Sequence, residues 1–115
     1  MKYKSIWFLF FLIILLPLPS LSADFQVSSL TDETDTALGD GYCTTASTSC
    51  SLRAAIQEAN TLGGTSTITF SVDGTFTLSL TRTNENDCVD GDLDITSNII
   101  LKGNGVDSTV IAGDG

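Results

Sequence analysis

The chain of 115 residues contains no histidine. That removes the commonest general base, the commonest nitrogen ligand for metals, and the side chain that changes charge near neutral pH. Basic residues are nearly as scarce. Lys2 and Lys4 stand at the extreme N-terminus, and beyond residue 23 only Arg53, Arg82 and Lys102 remain. Nucleic acid and anionic membrane are therefore not expected as partners, because phosphate recognition draws on clustered Lys and Arg. Cysteine is limited to Cys43, Cys50 and Cys88, with no CxxC spacing, which together with the missing histidine argues against a zinc site. No asparagine is followed two places on by Ser or Thr, so Asn60, Asn84, Asn86, Asn98 and Asn104 are not glycosylation acceptors.

The hydrophobicity that is present is concentrated in the first residues, which have the three-part layout of a signal peptide. Lys2 and Lys4 form a short positive region, Ser5 to Leu16 is almost uninterruptedly apolar, and Pro17 and Pro19 break it before Ser20, Ser22 and Ala23. Residues 1–22 read as a leader, cleaved after Ser22 or after Ala23. An uncleaved anchor is the alternative, but the apolar run is short of the roughly 20 residues that span a bilayer. All fourteen acidic residues lie after residue 23, where three basic residues face them, a formal charge of −11. The expected product is secreted or displayed at the cell surface, acidic, and free of the membrane once the leader is removed.

In an exported chain three cysteines point to one disulfide and one odd thiol. Cys43 and Cys50 are the natural pair, closing a short Thr/Ser loop ahead of a helix. Cys88, in the polar stretch NENDCVDGD, is left to pair with a cysteine outside this chain, to pair between molecules, or to stay free; the first is preferred. The helix follows from Ser51 as N-cap and from Leu52, Ala55, Ile56 and Ala59 at i, i+3, i+4 and i+7, with Arg53, Gln57 and Glu58 off that stripe. Asn60 and Leu62-Gly63-Gly64 end it, so the helix is expected at about 51–60.

Phe25 to Leu30 reads as a first short strand, and Thr31 to Ser49 as a polar loop turning at Gly39 and Gly41. From Thr65 the period becomes two: Ile68, Phe70 and Val72, then Phe76, Leu78 and Leu80 across Asp73-Gly74, which taken locally looks like a hairpin. GDLDITSNIILKGNG and STVIAGDG instead repeat a short apolar strand followed by a Gly-containing bend, with Ile99-Ile100-Leu101 and Val110-Ile111 as strand cores. That repetition suits a coil in which each strand stacks on its counterpart in the next turn.

CSLRAAIQEAN (Cys50 to Asn60), preceded by Cys43 and a leader and followed by GDLDIT, IILKGNG and TVIAGDG, resembles the CSLREAI-type N-terminal domain of large secreted bacterial proteins. Ala54 stands where the usual motif has Glu. The resemblance implies an all-β fold: the start of a right-handed parallel β-helix of the pectate-lyase-like kind, with the helix lying over its open N-terminal end. Residues 23–64 would supply strand, disulfide loop and capping helix, and residues 65–115 the first turns. Leu52, Ala55, Ile56 and Ala59 would face the interior, and Arg53 would support nearby carbonyls or pair with an acid. The chain stops directly after a strand at Ile111–Gly115 with neither capping helix nor polar final turn, and so reads as a fragment, a truncated reading frame, or half of an assembly.

Asp87, Asp90, Asp92 and Asp94 form the densest acidic cluster. On a strand Asp92 and Asp94 would share a face, and Asp90, Asp92 and Asp94 are the calcium candidates. The EF-hand pattern fails, with Ile95 in place of its glycine. The competing reading has Leu93 and Ile95 facing the core and the aspartates facing water. No catalytic residue is identified and no cofactor is expected beyond that calcium option. Phe70 and Phe76 belong with the core, and Tyr42 alone makes no sugar platform. The expected function is a non-catalytic, folding-nucleating cap, with further turns of a longer chain or self-association as partners. The alternatives are a piece of a polysaccharide lyase-like enzyme whose catalytic residues lie elsewhere, and a self-contained surface adhesion module with a carbohydrate ligand.

Overall fold

A computed structural model describes residues 22–83 and 85–114 of the chain. The elements are β1 (Ser22–Val27), α1 (Leu52–Leu62), β2 (Thr65–Phe70), β3 (Gly74–Leu78), β4 (Asn98–Lys102) and β5 (Thr109–Gly113). The fold is therefore predominantly β with one helix. No described helix is long and apolar enough to cross a membrane. The expected leader lies outside the described residues apart from Ser22, which opens β1.

All strand neighbours are parallel. One sheet has the order β1-β2-β4 and the other pairs β3 with β5. Val27 faces Phe70, and Phe25, Ile68 and Leu101 form one row across the first sheet, while Phe76 faces Ile111 in the second. Two-residue alternation thus aims Phe25, Val27, Ile68, Phe70 and Phe76 inward, where all five are buried. The Asp73-Gly74 junction is not a hairpin: β2 and β3 belong to different sheets, and the Gly74 N–H donates to the Ser108 carbonyl of the following turn. A polar corner sits beside it. Ser71 donates from both N and Oγ to the Val27 carbonyl, and Asn104 Nδ2 donates to the Phe70 carbonyl at 3.1 Å.

Several expected boundaries shift. The first strand ends at Val27 rather than Leu30, because the Ser28 and Ser29 N–H groups turn away to the Cys50 carbonyl. The helix runs two residues past Asn60, and Gly63 closes it by donating to the Ala59 carbonyl. Asp92 to Ile95 is not a strand, and Ile95 is exposed instead of facing the core. Leu93 does pack against the core from a half-buried position.

The helix starts as its sequence dictates, with Ser51 Oγ accepting from Ala54 N and donating to the Glu33 carbonyl. It lies beside β1, β2 and β4. The inward apolar rows of β1 and β2 need a cover, and the Leu52, Ala55, Ile56 and Ala59 stripe supplies it. Ile68, fully buried on the central strand, is the best single probe of this packing. Ile68→Ala is expected to lower the free energy of unfolding by about 2–5 kcal/mol in urea melts. Val106→Ala, at a position 89% exposed, should stay within about 0.5 kcal/mol of the parent.

Candidate functional site

The helix is buried on its polar side as well as its apolar stripe: Arg53, Gln57 and Glu58 are all inaccessible. Each reaches a loop that lacks regular structure of its own. Backbone N–H and C=O groups in such loops need partners once water is excluded, and the helix provides them.

Arg53 is the centre of this arrangement. Its Nε and Nη2 donate to the two oxygens of Asp32 at 2.7 and 3.0 Å, a two-point fork. The same guanidinium donates to the carbonyls of Cys88, Gly91 and Asp92 at 3.3, 2.7 and 3.2 Å. Asp32 Oδ2 in turn accepts from the N–H groups of Ser79 and Leu80. One ion pair thus ties the segment after β1, the helix, the end of β3 and the 88–92 loop. Burial works to raise the Asp32 pKa, but the Arg53 hydrogen bond, the Leu80 N–H, the Arg53 charge and the Ser79 N–H outweigh it and hold the carboxyl below its ordinary value. Burial likewise works against the Arg53 charge, and Asp32 more than compensates.

Glu58 and Gln57 serve the opposite loop. Glu58 Oε2 and Oε1 accept from the N–H groups of Gly39 and Gly41 at 2.8 and 2.6 Å. Gly39 and Gly41 have φ values of 89° and 84°, a left-handed conformation that suits glycine and turns both donors toward the carboxylate. Gln57 Oε1 accepts from Asp35 N. Asn60 completes the set, donating to the Asp94 carbonyl and accepting from Thr96 N. The roles of Glu58 and Asp32 were missed in the sequence; a GDG turn ahead of an acid placed off the apolar stripe was the available signal.

The calcium candidates are directed to different partners. Asp90 accepts from Thr83 N and Oγ1, Asp92 faces Arg82 at 3.6 Å on the exposed surface, and Asp94 Oδ2 accepts from Cys88 N. Asp87 is exposed. Among the described residues no group of three or more Cys, Asp or Glu is arranged to hold a metal ion. Phe70 and Phe76 pack on each other in the core with ring centroids 4.8 Å apart, and Tyr42 is exposed.

The Cys43–Cys50 disulfide is formed, and a disulfide points to a compartment other than the cytoplasm. Cys88 is unpaired and completely buried. The preferred expectation, a bridge to a cysteine outside the chain, is thereby corrected: the carbonyl bonds from Arg53 and the N–H bond to Asp94 draw residue 88 inward. Burial pushes its thiol pKa up, more than the Asp94 contact and the Arg53 charge lower it. Native protein should therefore leave a thiol reagent such as Ellman's unreacted over minutes, and release one equivalent only in denaturant. Rapid labelling of the native chain would contradict the buried placement.

Removing one partner of the central ion pair strands the other charge. Arg53→Ala is expected to cost about 3–5 kcal/mol, and Arg53→Lys should recover little, since an ammonium cannot fork onto Asp32 while holding three carbonyls. Because the folded-state pKa of Asp32 is lowered, its contribution is present above the ordinary carboxylate range and is lost as pH falls through the depressed value. Glu33, held by Ser47 and Thr31, and Asp90, held by Thr83, are shifted the same way. Urea melts should give level stability from pH 7 to about pH 5 and a decline at lower pH, and Asp32→Asn should make that decline shallower.

Compared with models of known protein families, with curated proteins and with solved structures, the chain finds no match.

Proposed function

We propose that this chain is the initiating end of a right-handed parallel β-helix in a secreted or cell-surface protein, with a structural rather than a catalytic role. One observation carries the reading: the inward apolar rows continue through both sheets into β4 and β5 and are uncovered there. Leu101 shares a row with buried Phe25 and Ile68, and Ile111 faces buried Phe76, yet each is 42% exposed. Both strands also leave one backbone edge without a strand partner among the described residues. A further turn stacking in parallel satisfies the edge and covers the apolar row at once. The period supports this, since 33 residues separate Thr65 from Asn98 and 35 separate Gly74 from Thr109. Right-handedness is the general rule for parallel crossovers.

Export is supported by the leader-like layout of residues 1–22 and by the disulfide. The CSLRAAIQEAN and GDLDIT segments support the CSLREAI-type assignment, and Arg53 of that motif is the residue that fastens the helix to the Asp32 segment and to the 88–92 loop. Half of the fourteen acidic side chains accept from backbone N–H groups, which suits a framework better than a reaction centre.

The reading is tested by appending a second copy of residues 79–113 after Gly113, which sets a new strand pair one period beyond β4 and β5. Amides of β4 and β5 should then exchange at least about tenfold more slowly with deuterium, and the melting temperature should rise. Unchanged exchange at both strands would overturn the reading. Unsaturated products from pectin or other polysaccharides incubated with the chain would overturn the non-catalytic role.

A further inference from the structure

A cleft of about 460 Å³ lies on the outer side of α1, away from the uncovered strands. It is lined by Gln57, Asn60 and Thr61 of the helix, by Leu38, by Asn86, Asp87 and Val89, and by Thr96. The volume falls in the usual range of small-molecule sites, roughly 300–1,000 Å³. Gln57 is the distinctive member. It is 5% exposed, its Oε1 is occupied by Asp35 N, and its Nε2 has no hydrogen-bond partner among the described residues. The buried side-chain atom without a partner among the described residues is Ser66 Oγ, so Gln57 Nε2 is not sealed from solvent and is free to donate to water or to a ligand in the cleft.

We infer that this cleft is a binding site for a neutral, hydroxyl-rich ligand of about disaccharide size. The polar groups set the class. Gln57 Nε2 and the exposed Asn86 amide donate; Thr61 Oγ1, which already donates to the Gln57 carbonyl, has lone pairs left; Thr96 can do either, and the Asp87 carboxylate accepts. Scattered donors and acceptors of this kind match a ring of hydroxyls, each of which does both. A peptide would present alternating N–H and C=O groups and needs a strand edge or free loop backbone to pair with. Here the neighbouring backbone is already engaged: Asp35 N by Gln57, Thr96 N and the Asp94 carbonyl by Asn60. Asp87 and the net acidity of the chain repel anionic ligands such as uronic acids. Leu38 and Val89, 54% and 48% exposed, offer flanking aliphatic surface for the C–H faces of such a ligand. The inference is independent of the β-helix reading, since no residue of β4 or β5 takes part.

The test uses the full chain, collected after export with its disulfide intact, and amide NMR with cellobiose and maltose as neutral probes. Digalacturonate and a short neutral peptide serve as comparisons. Saturable shifts at the Gln57 and Asn86 side-chain amides with one neutral disaccharide, at millimolar concentration, are expected. Asn86→Ala combined with Thr96→Val, both at exposed positions, should weaken that binding by about tenfold while leaving the rest of the spectrum in place. The inference is overturned if neither disaccharide shifts these resonances by 50 mM, a concentration near the weak limit of specific recognition at about −2 kcal/mol. It is also overturned if the shifts centre on Leu101 and Ile111, or if digalacturonate or the peptide alone produces them.

Discussion

The bidentate pair of Asp32 with Arg53 is the constraint on which the remaining structure hangs. Its members are 21 residues apart, and through them the segment leaving β1, the helix, the exit from β3 and the 88–92 loop converge on a few ångströms of space. A buried ion pair is weak support for stability when its desolvation is offset only by mutual attraction. Here every remaining hydrogen-bonding position on Asp32 Oδ2 and on the Arg53 terminal nitrogens is used by backbone, which is the condition under which such a pair specifies one arrangement. The consequence is register. With Ser79 and Leu80 held at Asp32, β3 is positioned for parallel addition of β5.

Acidity takes on a different meaning beside this pair. A charge run is ordinarily a solvated face, yet seven of the carboxylates accept from backbone N–H groups: Asp32, Asp35, Asp40, Glu58, Glu85, Asp90 and Asp94. The physical cause is the topology. Parallel strands cannot be joined by two-residue turns, so long connections at 28–51 and 79–97 must satisfy many donors without a ladder. Carboxylates, which only accept when ionised, are the side chains suited to that task.

What could be read in advance follows the same division. Local periodicity revealed α1 through Leu52, Ala55, Ile56 and Ala59, and the inward rows of β2 and β3 through Ile68, Phe70 and Phe76. The short Cys43–Cys50 spacing pointed to the disulfide. Partnerships across long separations were not legible, because nothing near Glu58 indicates Gly39 and Gly41, and nothing near Arg53 indicates which of fourteen acids it meets. The GDLDIT segment misled for a related reason. Its alternation imitates a strand, but Asp94 is recruited to Cys88 N and the Asp92 carbonyl to Arg53, so the backbone bends around the guanidinium and Ile95 is left outside.

Helix and loops must therefore form together. Eleven residues fall below the length at which an isolated helix holds in water, about 12–15 residues, and α1 has no acidic residue in its first turn and no basic one in its last to favour its dipole. Its stability comes from the Ser51 cap, the apolar contacts with β1 and β2, and the loop backbone gathered by Arg53, Gln57, Glu58 and Asn60. Those loops draw their hydrogen-bond partners from the helix, just as the helix is marginal without them. The last turn has no such reciprocity: β5 is joined to the rest mainly by its ladder with β3, and its inward residue Ile111 is only half covered. Burial therefore decreases from the Asp32–Arg53 pair toward β4 and β5. That gradient suits the proposed addition of further parallel strands beyond β4 and β5.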